Sequence, residues 1–190
     1  MNPKQILQIF KRKDALLEGH FILSSGLHSG QYLQCAKVLE DPKASARLAR
    51  ALAANFGKRR VDTVVGPAMG GIILAYELAR ALGARALFAE RANGKMCLRR
   101  GFSLKAQEKV LVAEDVITTG GSVKEVIEVV QACGATVIGV AALIDRSGRK
   151  PPFGKIRFKS LAKIDIKTYR PEDCPLCRQG LGLIKPGSRK

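Results

Sequence analysis

At 190 residues, with 46% hydrophobic and 26% charged side chains, the chain has the make-up of one soluble domain able to bury a core without staples. No apolar run approaches the ~18 residues of a membrane span, and Met1-Asn2-Pro3-Lys4 leads into an amphipathic segment instead of a signal core, so a cytoplasmic protein is expected. Thirty-three Lys and Arg against 16 acids give a charge of +17, but the cations are dispersed and aromatics sparse, which favours solvated charge around an anionic small molecule over a nucleic-acid platform.

Asn2 and Pro3 read as a helix cap and first-turn proline, and Ile6, Phe10, Asp14 and Leu17, with Ile9 and Leu16, continue at near-helical spacing. Residues 20–34 read as two short strands joined by a polar turn, and Asp41-Pro42 opens a second capped helix ending near Phe56. From residue 61 the pattern is regular. Strands are expected at 61–65, 86–89, 109–113 and 136–144, with helices over about 71–82 and 122–133 closed by Gly83 and Gly134. Alternating apolar strands and helices predict an α/β fold with a largely parallel sheet covered on both faces. After Gly148 the chain looks less regular, with Pro151-Pro152 and a polar tail from Lys185 to Lys190.

Ligands of such sheets bind beyond the carboxyl ends of the strands. Three segments are expected there: 66–71, 90–101 and 114–122. The third is the most informative. An apolar strand delivers Glu114 and Asp115, adjacent acids that call for a partner such as the vicinal hydroxyls of a sugar. Val116 and Ile117 lead on to Thr118-Thr119-Gly120-Gly121-Ser122, two hydroxyls and two glycines opening a helix, which suits a phosphate. In Gly66-Pro67-Ala68-Met69-Gly70-Gly71 the glycines let backbone approach an anion closely. The segment 90–101 is long and carries Arg91, Lys95, Arg99 and Arg100, the composition of a lid over a multiply charged leaving group, or of a solvated basic hairpin.

The string from Val110 to Ser122 resembles the phosphoribosyl-diphosphate signature of type I phosphoribosyltransferases, and within them most nearly the orotate phosphoribosyltransferases. The resemblance extends from Gly19-His20-Phe21 to Cys174-Pro175-Leu176-Cys177 and implies a parallel α/β core at about 41–150. A small hood would come from residues 1–40 and the C-terminal segment, the whole forming one domain. It implies that Glu114 and Asp115 hold the ribose hydroxyls, that Thr118 to Ser122 take the 5-phosphate, and that Ala68, Gly70 and Gly71 meet the diphosphate. Lys95 and Arg91 align with the basic residues of a catalytic loop that reaches into a partner subunit of a homodimer. Arg146 and Thr118 align with contacts to orotate, and Tyr32 with aromatics over the base. Mg²⁺ is expected, bound mainly through the substrate. The reaction implied is transfer of the phosphoribosyl group of 5-phosphoribosyl 1-diphosphate to orotate; another base, or a nucleic-acid-binding regulator on the same fold, is the alternative. Ser24, Gly70, Ala92 and Cys97 depart from the family pattern, standing where members carry lysines or a histidine; Arg99 or Arg100 is the expected substitute in the basic loop.

Five cysteines, an odd number, argue for reduced thiols. Cys174 and Cys177 form a CxxC that reads as half a zinc site, a redox pair or a tight turn. His20 and His28 look isolated, with no triad or metal spacing.

Overall fold

The computed structural model describes residues 1–23, 25–148 and 153–186; Ser24, Pro151, Pro152 and the end of the polar tail lie outside them. The elements run α1 (Pro3–Arg12), β1 (Leu16–Ile22), β2 (His28–Leu33), α2 (Ala36–Leu39), α3 (Pro42–Ala54), β3 (Thr63–Pro67), α4 (Gly71–Leu82), β4 (Arg85–Ala92), β5 (Lys95–Leu98), β6 (Lys109–Ile117), α5 (Gly121–Ala132), β7 (Thr136–Asp145), β8 (Phe158–Lys163), β9 (Thr168–Tyr169) and α6 (Pro175–Arg178).

The first helix starts as its sequence dictates. The Asn2 side chain accepts from the Gln5 amide at 2.9 Å and the Gln5 side chain accepts from the Asn2 amide at 3.0 Å, a capping box ahead of buried Ile6 and Phe10. It ends sooner than the apolar spacing predicts. Asp14 takes a φ of 49°, and Leu16 and Leu17 enter β1, where Leu33 and Tyr32 of β2 are their cross-strand partners. With β9 on the far edge of β2, these strands make a three-stranded antiparallel sheet.

The main sheet has the order β5-β4-β3-β6-β7-β8, parallel throughout except for β5. Successive residues of β6 face opposite clusters. Val110 and Val112 pack with Val126 and Val130 of α5, while Leu111 and Ala113 pack with Leu52 of α3 and Leu74 and Leu78 of α4. Both faces are thereby covered, as a parallel sheet requires. The chain leaves β3 through α4 toward β4 on one side, and leaves β6 through α5 toward β7 on the other. The adjacent carboxyl ends of β3 and β6 therefore form the topological switch point where ligands of such sheets bind.

Of the two readings of 90–101, the structure has the hairpin over most of its length: β4 runs on to Ala92, the chain turns at Asn93 and Gly94 with φ of 50° and 78°, and β5 returns with Arg91 opposite Met96. Asn-Gly is the preferred chemistry for a two-residue turn with both φ values positive. From Phe153 onward the chain adds one more regular element than expected, β8, which joins the sheet beside β7 before the short elements of the tail. Its two exposed lysines, Lys159 and Lys163, suit an edge strand. No helix among the described residues is long and apolar enough to cross a membrane.

Candidate functional site

Glu114 and Asp115 lie within β6, not in the loop after it, so the ladder to β7 fixes their backbone. Both are half-buried, and among the described residues neither has a cationic partner. Asp115 turns one oxygen back to the Val116 amide at 2.7 Å, and Glu114 accepts from the Asp115 amide at 3.2 Å. Loss of water around it, then the Asp115 charge, pushes Glu114 well above the usual carboxylate range; loss of water also raises Asp115. Two adjacent acids without a counter-charge hold their negative charge poorly, and a sugar diol or a cation relieves them.

The turn that follows is open. Thr118 and Thr119 are exposed, Gly120 takes a φ of 75° that only glycine adopts readily, and α5 begins with no side-chain cap. Among the described residues only the Gly121 amide has a side-chain acceptor in this turn, the Thr119 hydroxyl at 3.5 Å, so the first turn of α5 offers amide donors to an external anion. Glu114 and Val116 through Val123 line a small open cavity of about 70 Å³.

The 66–71 loop packs directly on this strand end, and two of its glycines are needed for that packing. A Cβ on Gly66 would lie 2.4 Å from the Gly71 carbonyl oxygen, and one on Gly71 would lie 2.9 Å from that of Ala113. These two glycines let loop and strand touch. At Gly70 the neighbour is chemical: a Cβ there would stand 3.0 Å from both Asp115 carboxylate oxygens. The Ala68–Met69 peptide is cis, and the Ala68 amide donates to Ala89 at 2.7 Å.

Arg146 follows β7, anchored by its amide to the Ile117 carbonyl at 2.8 Å. Its Nε is buried and has no hydrogen-bond partner among the described residues. Burial pulls the guanidinium below its ordinary value, with Cys35 and Tyr32 opposing. Burial and the Asp115 charge raise Tyr32, which Arg146 opposes. Burial, then Asp115 and Glu114, push the Cys35 thiol well up. Tyr32, Arg146 and the acid pair thus share one electrostatic neighbourhood. Cys35 belongs to it as well; nothing in the sequence distinguishes this buried thiol except its place just after β2.

The basic hairpin stands apart from that group. Arg91 is held by Glu125 of α5 at 2.6 and 3.1 Å, and Arg100 by Glu90 at 3.1 and 3.2 Å. Arg99 lies 3.9 Å from Glu90, whereas Lys95 has no ion pair among the described residues. Glu125 is the residue sequence reasoning missed here, since its position on a helix facing a hairpin is not visible in spacing.

A further correction concerns the histidines. His20 and His28 are not isolated: both are buried, and together with Cys174 and Cys177 they form a group of four whose ligand atoms lie within 4.8 Å of one another. The partners lie more than a hundred residues apart, beyond the reach of any spacing rule.

Residues 36–168 match the family model for the phosphoribosyl transferase domain. The chain is 58% identical over 184 residues to the orotate phosphoribosyltransferase of Thermotoga maritima, covering 97% of this chain and 98% of that one. To the orotate phosphoribosyltransferase of Caldanaerobacter subterraneus it is 55% identical over 190 residues and the full length of both. Among solved structures, orotate phosphoribosyltransferase from Aeropyrum pernix superposes with a TM-score of 0.69 at 28% identity, over 84% of this chain and 93% of that one.

Proposed function

This chain belongs to the phosphoribosyl transferase family, among its orotate phosphoribosyltransferases, and we propose that it transfers the phosphoribosyl group of 5-phosphoribosyl 1-diphosphate to orotate, releasing diphosphate. One observation carries the assignment of roles. Two half-buried acids, without a cationic partner among the described residues, lead into an uncapped helix start and share an electrostatic neighbourhood with Arg146, whose buried Nε has no hydrogen-bond partner among those residues.

Each feature matches a part of the substrates. Glu114 and Asp115 accept hydrogen bonds from the ribose 2- and 3-hydroxyls, which spread the charge of the pair. The amides and hydroxyls from Thr118 to Ser122 hold the 5-phosphate, with Val116 and Ile117 as the wall beneath the sugar. The 66–71 loop presents backbone at Ala68, Gly70 and Gly71 to the diphosphate. Arg146 reaches the orotate carboxylate with its guanidinium, and Tyr32 covers the base beside Thr118. The half-buried carboxylates of Glu114 and Asp115, without a cationic partner among the described residues, fit Mg²⁺ bound mainly through the substrate, and the ion would neutralise charge on the leaving group.

In the reaction the bond from ribose C1 to the diphosphate oxygen breaks and its electron pair leaves with the diphosphate. Positive charge builds on the ribose, and orotate N1 bonds to C1 from the opposite face while its N–H bond breaks and the proton passes to solvent or to the departing diphosphate. The chain's part is to position and to stabilise charge. Arg91, on leaving Glu125, and Lys95 close over the diphosphate of a partner subunit's site in a homodimer. The three-stranded sheet acts as a hood over a core of about 41–150 in one working domain, in the cytoplasm.

The test is competition. Pure protein receives the sugar donor, Mg²⁺ and equal orotate, uracil, hypoxanthine and adenine. Orotidine 5′-monophosphate is the expected product, and a different nucleotide as the main product would reject the assignment.

A further inference from the structure

We propose that His20, His28, Cys174 and Cys177 form a tetrahedral zinc site that pins the C-terminal segment to the β1–β2 hairpin. The geometry carries it. His20 Nε2 lies 3.0 Å from His28 Nδ1, 3.5 Å from the Cys174 sulfur and 3.7 Å from the Cys177 sulfur, and His28 Nδ1 lies 3.3 Å from the Cys177 sulfur. A tetrahedron with ordinary zinc bond lengths has edges of about 3.3 Å between nitrogens and about 3.6 Å between nitrogen and sulfur. The observed separations already lie close to those edges.

The surroundings fit as well. The other nitrogen of His20, Nδ1, faces the Leu181 carbonyl at 2.8 Å and so carries the ring proton, leaving the Nε2 lone pair aimed into the group. A metal-bound histidine is commonly oriented by this kind of carbonyl contact. His20, His28 and Cys174 are buried while Cys177 is exposed, which encloses the centre and leaves an entry side. On binding, both thiols lose their protons, and two thiolates balance the charge of Zn²⁺ in a buried place. Two sulfurs and two imidazoles select zinc over a hard ion such as Mg²⁺, so this site is chemically distinct from the acid pair.

The site also has a mechanical sense. It joins segments distant in sequence where few other bonds hold them. Besides β2 pairing with β9, the tie consists mainly of the Ile22 amide on the Ile184 carbonyl at 2.9 Å and the Ile184 amide on the His20 carbonyl at 2.8 Å. β2 carries both His28 and Tyr32, so the centre steadies the strand that bears the proposed base contact.

The test uses the full chain under reducing conditions. After equilibration with zinc and removal of the excess, about one zinc per chain is expected, with a higher melting temperature than after chelation. Cobalt in its place should give thiolate charge-transfer absorption and the intense visible bands of tetrahedral coordination. Cys177→Ser, which alters an exposed side chain, and His28→Gln should each weaken zinc retention more than about tenfold and reduce the tetrahedral cobalt spectrum. A folded, reduced wild-type chain that retains no zinc would overturn the proposal. So would a Cys177→Ser chain that binds zinc as tightly as the wild type, which would leave an ordinary hydrogen-bonded His–Cys cluster.

Discussion

At the scale of single residues, the site works by withholding partners. Among the described residues Glu114 and Asp115 have no cationic partner and the buried Nε of Arg146 has no hydrogen bond, although protein groups of these kinds are nearly always satisfied. An acid whose pKa in the fold exceeds its unfolded value supports the fold while protonated. The pair's contribution is therefore full below an unfolded value of about 4.3 and is lost as pH rises through the raised folded one. Glu114→Gln should lose that dependence, so melting curves of the unliganded proteins should show the variant gaining on the wild type as pH rises toward neutral. Sugar-donor binding should run the other way, weakening in the wild type as pH falls through the same window. Arg146→Ala removes one partner of a charge pair, which costs about 2 kcal/mol or more. Steady-state kinetics should show the KM for orotate rising at least ~30-fold with that for the sugar donor little changed.

At the scale of elements, sequence and structure agree where local pattern and tertiary packing ask for the same thing. The apolar run before Glu114 is the central β6, and Gly83 ends α4 with a φ of 68°. They part where long-range pairing decides. Leu16 and Leu17 fit a helical stripe but take partners across a hairpin, and the polar 90–101 segment hides a strand in alternation. Gly66 was legible as important, and the fold adds a reason that the sequence does not show, its close packing on Gly71. Gly66→Ala would drive a methyl into the Gly71 carbonyl, an overpacking that costs about 1–3 kcal/mol. A thermal melt should show its Tm lowered by about 2–4 °C for each kcal/mol.

At the scale of the whole molecule, the charge of +17 becomes intelligible as a field around polyanionic substrates, though most hairpin cations are occupied in ion pairs. The acid pair, the Thr/Gly turn and Arg146 could be placed at strand ends from the sequence because each follows an apolar strand in a recognisable string. The His–Cys group and Cys35 were not, because only folding brings their neighbours near. The proposed sharing of sites between the subunits of a homodimer has its own signature. Mixing inactive Lys95→Ala chains with inactive Asp115→Asn chains should restore activity to about a quarter of the wild-type sites, since half the dimers then hold one intact site. The most direct measurement is the rate of orotidine 5′-monophosphate formation by Glu114→Gln/Asp115→Asn, a folded protein with both acids neutralised. The account predicts kcat/KM for 5-phosphoribosyl 1-diphosphate at least ~100-fold below wild type, since each lost charged hydrogen bond costs about 1.5–3 kcal/mol. Turnover equal to that of the wild type would contradict it.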